Sequence, residues 1–225
     1  IRGDVGNDFV YGGAGDDSTY GGMGDDHVFG GDGADHMFGG YGNDSVYGGA
    51  GNDIITGSGE SDLVYGGDGD DLIQGANGND TLYGDAGADT LLGEDDADAL
   101  YAGSGDVVDG GETTLTGTDD DTLYVSGVQH VQFDAFAPEN GTVTFLDGTT
   151  MSFANIEHVY ADGALVEPPD YVVEGTASAD TIDAGYTGGP QGDRADGNDN
   201  IFANTDDVIR AGAGNDSVLA GEGND

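Results

Sequence analysis

The chain contains no cysteine, and its basic residues include no lysine. Without cysteine there are neither disulfides nor thiolate metal sites, so any cross-link that stabilises the fold is of another kind. Positive charge is nearly missing: Arg2, Arg194 and Arg210 are joined only by four histidines, against 46 Asp and Glu, giving a formal net charge of -43 over 225 residues. That imbalance excludes nucleic acid and an anionic membrane surface as partners by simple repulsion. It also resists compaction unless a cation neutralises it. No apolar run is long enough for a signal-peptide core or a membrane span. A disordered acidic spacer is the plainest reading of such a composition. Against it stand 36% hydrophobic residues, set at ordered spacings.

What is abundant is glycine, 46 residues, and it is periodic. From Gly3 to Tyr101 the chain divides without a gap into eleven units of nine, such as Gly12-Gly-Ala-Gly-Asp-Asp-Ser-Thr-Tyr20 and Gly48-Gly-Ala-Gly-Asn-Asp-Ile-Ile-Thr56. Position six is aspartate in all of them: Asp8, Asp17, Asp26, Asp35, Asp44, Asp53, Asp62, Asp71, Asp80, Asp89 and Asp98. Position eight is apolar in ten, from Val10 to Leu100, with Thr19 the exception. Glycines at positions one, two and four are expected to take positive φ and expose their carbonyls on a tight turn. Positions seven to nine are expected to form a three-residue strand with only position eight pointing inward. One small apolar residue per unit makes no core alone, but stacked units line these residues up at ~4.8 Å. The same stacking gathers the aspartates, which calls for a hard, oxygen-seeking cation, and carboxylates with carbonyls suit Ca2+.

The pattern Gly-Gly-x-Gly-x-Asp-x-U-x, with U apolar, resembles the nonapeptide of the RTX (repeats-in-toxin) calcium-binding family over residues 3–101, with weaker copies at 175–225. The resemblance implies an all-β, right-handed parallel β-roll, a β-solenoid with two nonapeptides per turn and Ca2+ between turns. It implies that unit n shares an ion with unit n+2, so Asp8/Asp26 through Asp80/Asp98 make about nine sites in the first roll. The remaining ligands it implies are turn carbonyls, from Gly6, Gly12, Gly15, Gly21, Gly24, Gly30, Gly33, Gly39, Gly42, Gly48, Gly51, Gly66, Gly69, Gly75, Gly78, Gly84 and Gly87. Glu60 and Asp96 stand where position-four glycine belongs, and the ions they touch are expected to bind weakly. In Ala102-Gly-Ser-Gly-Asp-Val107 the position-six acid is missing, and the first roll is expected to end there.

With two units per turn, odd and even units build opposite sheets. Position nine of the odd units reads Tyr11, Phe29, Tyr47, Tyr65, Tyr83, Tyr101, whereas the even units read Tyr20, Phe38, Thr56, Gln74, Leu92. One outer face therefore carries an aromatic ladder. It either stacks only on itself or is covered by the middle segment or a partner.

The organisation is read as a β-roll at 1–111, a β-rich capping segment with a Pro linker at 112–170, and a second, imperfect roll at 171–225. Strands are expected at 122–125, 128–136, 142–146, 149–153 and 156–160, with Asp147-Gly148 as a hairpin turn. In the second roll the register is carried by Asp180, Asp207, Asp216 and Asp225, interrupted by an insertion of about twenty residues. That insertion, with Asp193, Asp196 and Asp199, fits either an ion of its own or a solvated loop. Both ends fall inside a repeat, so a longer protein is expected, and copies stacking end to end or side to side are a further expectation.

No catalytic set is found. The histidines His27, His36, His130 and His158 form no His-Glu-x-x-His motif, and there is no Gly-x-Ser-x-Gly elbow. Position three lacks the threonine row of ice-binding arrays, reading Val5, Ala14, Met23, Asp32, Tyr41, Ala50. The resemblance implies a structural module of an extracellular or cell-surface bacterial protein, exported by type I secretion machinery and folding on Ca2+ outside the cell, in an adhesin, surface layer or filament. The alternative is an accessory module of a secreted hydrolase or polysaccharide epimerase with its catalytic domain elsewhere.

Overall fold

The computed structural model describes residues 1–111, 120–134 and 137–166 and four short strands beyond them; the described residues contain strands and no helix. Two compact units result, Ile1–Glu167 and Pro168–Asp225.

In the first unit the chain alternates between two parallel sheets, one strand per nonapeptide. One sheet holds β1 (Arg2–Val5), β3 (Ser18–Met23), β5 (His36–Tyr41), β7 (Ile54–Gly59), β9 (Leu72–Asn77), β11 (Thr90–Asp95) and β13 (Val107–Asp109). The other holds β2 (Phe9–Ala14), β4 (His27–Asp32), β6 (Ser45–Ala50), β8 (Leu63–Asp68), β10 (Thr81–Ala86) and β12 (Ala99–Tyr101). Each strand pairs with the one two units on, as in Val10↔Val28, Val28↔Val46 and Ile55↔Ile73, so one turn of the solenoid is two nonapeptides.

Only position eight reaches the interior as an apolar side chain. Val28, Met37, Val46, Ile55, Val64, Ile73, Leu82, Leu91 and Leu100 are fully buried, and the expected exception, Thr19, is buried with them. Each such side chain contributes roughly 1.5–3 kcal/mol by burial, in a core one residue deep from either sheet.

The strands differ from the expected three residues. They run six, from position seven through position three of the next unit, because backbone pairing continues across the glycines, as in Gly13↔Gly31 and Ala14↔Asp32. Positive φ also falls differently. Positions two and four adopt it whatever the residue, including Ser58 (φ 105), Ala76 (φ 89) and Glu60 (φ 65), and position-one glycines do not.

The coil does not end at Ala102. β13 (Val107–Asp109) pairs with β11 in register, Leu91↔Val108, and two further strands follow it: β14 (Thr122–Val125) joins β12 through Leu100↔Leu123, and β18 (His158–Ala161) joins β14 through Leu123↔Val159. The sheet containing β13 continues into β17 (Thr150–Ala154), then antiparallel into β16 (Ala137–Phe145) and β15 (Val128–Asp134), with the turn at Asp147-Gly148. The other sheet closes with β19 (Ala164–Val166) antiparallel to β18. The middle segment thus extends both sheets.

In the second unit, β20 (Val172–Glu174) pairs in parallel with β22 (Val208–Arg210), and β21 (Thr181–Ile182) with β23 (Ser217–Val218). Partners such as Val172 and Val208, or Thr181 and Ser217, lie 36 residues apart, twice the 18 of the first unit. The insertion therefore equals two nonapeptides and leaves the period intact.

Candidate metal centre

Every turn of the first unit presents the same carboxylate geometry. The backbone N–H of one position-six aspartate donates to Oδ1 of the aspartate two units on: Asp8 to Asp26 at 2.7 Å, Asp44 to Asp62 at 2.8 Å, Asp80 to Asp98 at 2.7 Å. All nine expected pairs are joined in this way. A charged acceptor makes these bonds about twice as strong as neutral ones.

The second oxygen is the informative one. Oδ2 of Asp26, Asp35, Asp44, Asp53, Asp62, Asp71, Asp80 and Asp89 is buried without any hydrogen-bond partner, as is that of Asp8. A buried, unpaired carboxylate oxygen is costly. It lies against the position-one glycine of its own unit, together with a carbonyl of the next turn. The point where a Cβ on Gly39 would sit is 2.6 Å from Asp44 Oδ2 and 2.7 Å from Gly57 O; on Gly66 it is 2.5 Å from Asp71 Oδ2 and 2.8 Å from Gly84 O. Position one is therefore glycine because two oxygens occupy its side-chain space. Its φ is ordinary, which corrects the expectation of a left-handed residue there.

Burial, opposed in part by these hydrogen bonds, pushes the Asp62 carboxyl up to about 8 and those of Asp71 and Asp80 up to about 7. For Asp44 and Asp89 it raises the value to about 6. Groups so perturbed by desolvation and like-charge neighbours accept a proton or a cation in place of solvent. Among the described residues no three acidic or histidine side chains gather on one point, so an ion here leans on carboxylates with backbone carbonyls. Hard oxygen donors of that kind fit calcium and do not fit a zinc-type site.

Three acids outside the nonapeptide register complete the two ladders. Asp89 N–H donates to Asp106 Oδ1 (2.9 Å), Asp98 N–H to Asp121 Oδ1 (2.8 Å), and Asp121 N–H to Glu157 Oε2 (2.7 Å). Their signal was present: Asp121-Thr-Leu-Tyr124 and Glu157-His-Val-Tyr160 repeat positions six to nine without the glycine half, and Gly103-Ser-Gly-Asp106 is a turn one residue short. A second ladder runs beside the first. Position-five oxygens accept from the N–H two units on, as Asn7 from Asp25 (3.2 Å) and Asp70 from Ala88 (3.0 Å), so positions five and six are tied in opposite directions. At the irregular Glu60, Oε2 accepts from Gly42 N–H (2.9 Å), where neighbouring turns use a carbonyl, as Gly24 N–H to Tyr41 O (2.8 Å). The expected second-roll ligands Asp180, Asp207, Asp216 and Asp225 lie outside the described residues.

The odd-unit rings Tyr11, Phe29, Tyr47, Tyr65, Tyr83 and Tyr101 stack with centroids 4.3–5.2 Å apart and nearly parallel planes. Instead of covering this ladder, the middle segment lengthens it with Tyr124 (4.6 Å) and Tyr160 (5.3 Å). His27 and His36 sit on opposite sheets, with His27 stacked on Phe9 at 4.8 Å.

Paired sheets built from nine-residue units, with a carboxylate and a carbonyl gathered turn after turn, define a parallel β-solenoid with repeated oxygen-donor sites. The family model of the RTX calcium-binding nonapeptide repeat matches residues 1–28, 20–55, 29–64, 49–82, 56–91, 74–108 and 195–225, more than half of the chain, and the chain belongs to that family. The repeats of this family are structural calcium-binding modules. No curated protein matches the chain.

Proposed function

We propose that the chain is a calcium-binding structural module of a secreted bacterial protein, folding on calcium outside the cell as part of an adhesin, surface layer or filament. The observation that carries this is the buried carboxylate oxygen without a partner, gathered with a carbonyl of the next turn, rung after rung. Calcium supplies two positive charges and a preference for oxygen donors. The residues that hold it are the position-six pairs from Asp8/Asp26 to Asp80/Asp98, with turn carbonyls completing each set, giving about nine ions in the first roll. Nine ions supply +18 against -43, so the surface stays acidic and soluble.

The same carboxylates account for export. Where calcium is scarce they repel one another and keep the chain extended, a form suited to type I secretion machinery. Outside, sites of the extracellular class, ~10⁻⁴–10⁻³ M, fill, and binding free energy becomes folding free energy. Proteins of the family are typically secreted, which supports this localisation. A calcium titration followed by far-UV circular dichroism tests the reading. The expected result is a transition from coil to β-structure in that concentration range, reversed by chelator and not reproduced by magnesium, which demands a tighter octahedral site. Identical spectra in chelator and in calcium would refute it.

A further inference from the structure

The chain has neither cysteine nor tryptophan, the side chains that compete with tyrosine for a one-electron oxidant, but it has 11 tyrosines. Six of them, Tyr47, Tyr65, Tyr83, Tyr101, Tyr124 and Tyr160, stand on successive rungs of one sheet. Backbone register sets each opposite the next: Tyr47↔Tyr65, Tyr65↔Tyr83, Tyr83↔Tyr101, Tyr101↔Tyr124 and Tyr124↔Tyr160. Their ring planes lie 4–17° from parallel and their centroids 4.3–5.3 Å apart. Parallel in-register pairing turns like edges the same way, so each ortho carbon has its counterpart on the next ring. The phenols themselves crowd together: burial and the hydroxyls of Tyr101 and Tyr65 push the Tyr83 hydroxyl up, as burial with Tyr101 and Tyr160 does for Tyr124. All six rings are half-buried, with an edge open to solvent. The remaining described tyrosines lack such a neighbour: Tyr11 stacks on Phe29, Tyr20 faces Phe38 at 6.2 Å, and Tyr41 is paired between Met23 and Gly59.

We propose that these six tyrosines are a modification site, at which neighbouring rungs couple to dityrosine under a haem peroxidase acting with hydrogen peroxide. Each of two adjacent phenols gives up one electron and its hydroxyl proton, leaving two phenoxyl radicals with unpaired spin at their ortho carbons. Those carbons join in one C–C bond, and each passes its hydrogen to its own phenol oxygen as the rings regain aromaticity. Hydrogen peroxide takes the two electrons and two protons and becomes two waters. The χ2 torsion of tyrosine is broad, so turning two half-exposed rings brings facing ortho carbons together without moving the strands. The product ties turn to turn along the coil, a covalent cross-link in a chain with no cysteine for disulfides. The inference rests on the calcium reading only for timing, since calcium folds the coil and the folded coil aligns the rings.

Treating the whole 225-residue chain in calcium with haem peroxidase and hydrogen peroxide, then isolating the monomer, tests this. The monomer is expected to gain dityrosine fluorescence, and peptide mapping by mass spectrometry to join only adjacent rungs, as Tyr83 to Tyr101. A triple variant, Tyr65→Phe with Tyr101→Phe and Tyr160→Phe, keeps every ring of the stack but leaves no two tyrosines adjacent. Its monomer is expected to lose the signal. Tyr11→Phe, Tyr20→Phe and Tyr41→Phe together remove as many tyrosines and are expected to leave the yield unchanged. A wild-type monomer without dityrosine, links that ignore the rungs, or a signal that survives the first triple variant overturns the inference and leaves the calcium reading standing. Rung-specific links formed equally well in chelator would count against the calcium reading and uphold the ladder as the cross-linking site.

Discussion

Position one is crowded at ordinary φ, whereas position two has positive φ throughout and is free of crowding only at Gly13, where no earlier turn stacks on it; there substitution separates strain from packing. Gly13, at position two, has φ +118 and open space where a side chain would go, so Gly13→Ala meets backbone strain alone, ~1–2 kcal/mol. Gly39, at position one, has ordinary φ but faces Asp44 Oδ2 and Gly57 O. Gly39→Ala should cost about 3 kcal/mol, the upper range of overpacking, and should also remove one bound calcium. Thermal unfolding in saturating calcium, with a calcium count, checks both; equal losses without a change in ion number would contradict the distinction. The glycine requirement was legible from the repeat, but its cause at position one was not, because the obstructing oxygen comes from a carbonyl 18 residues away.

The strand is the element at which the two faces of the coil diverge. Each nonapeptide supplies one buried apolar residue to the interior and one position-nine residue to an outer face. On the face of β2 to β12 the rings stack without interruption, and Tyr101 lies between Tyr83 at 4.3 Å and Tyr124 at 4.6 Å. Aromatic pairs are worth roughly 0.5–1.5 kcal/mol each beyond burial. Tyr101→Ala should therefore cost about 1–3 kcal/mol, whereas Thr56→Ala at the matching position of the other sheet should stay within about 0.5 kcal/mol. Chemical denaturation of both variants in calcium measures the contrast, and similar losses would mean that the ladder stabilises nothing. Alternation at positions seven to nine predicted the inward residue correctly. Strand length was underestimated, because glycine is disfavoured in strands by propensity, and inter-turn pairing overrides that preference across Gly12-Gly13-Ala14.

For the whole molecule the governing quantity is charge, and its sign of pH dependence follows from the buried aspartates. In the folded coil without metal, Asp62 titrates at about 8 and Asp71 and Asp80 at about 7; in an unfolded chain such groups titrate near ~4. The folded state therefore holds more protons than the unfolded state between these values, and its stability is present below pH ~4 and declines as pH rises through about 8. In chelator the chain should show more β-structure at pH 5 than at pH 8, with protons substituting in part for calcium; the opposite order by circular dichroism would contradict the assignment of these carboxylates to the buried ladder. The amino-acid sequence by itself determined the period, the position-six acids, the inward apolar row and the need for a cation, because those are one-dimensional regularities. Only the tertiary structure decided where the coil stops. Asp106, Asp121 and Glu157 arrive in register after unequal separations of 17, 23 and 36 residues, since an open sheet edge selects any strand with an acid before it and an apolar residue two places on. That selection acts through space between turns, and no fixed spacing along the chain records it.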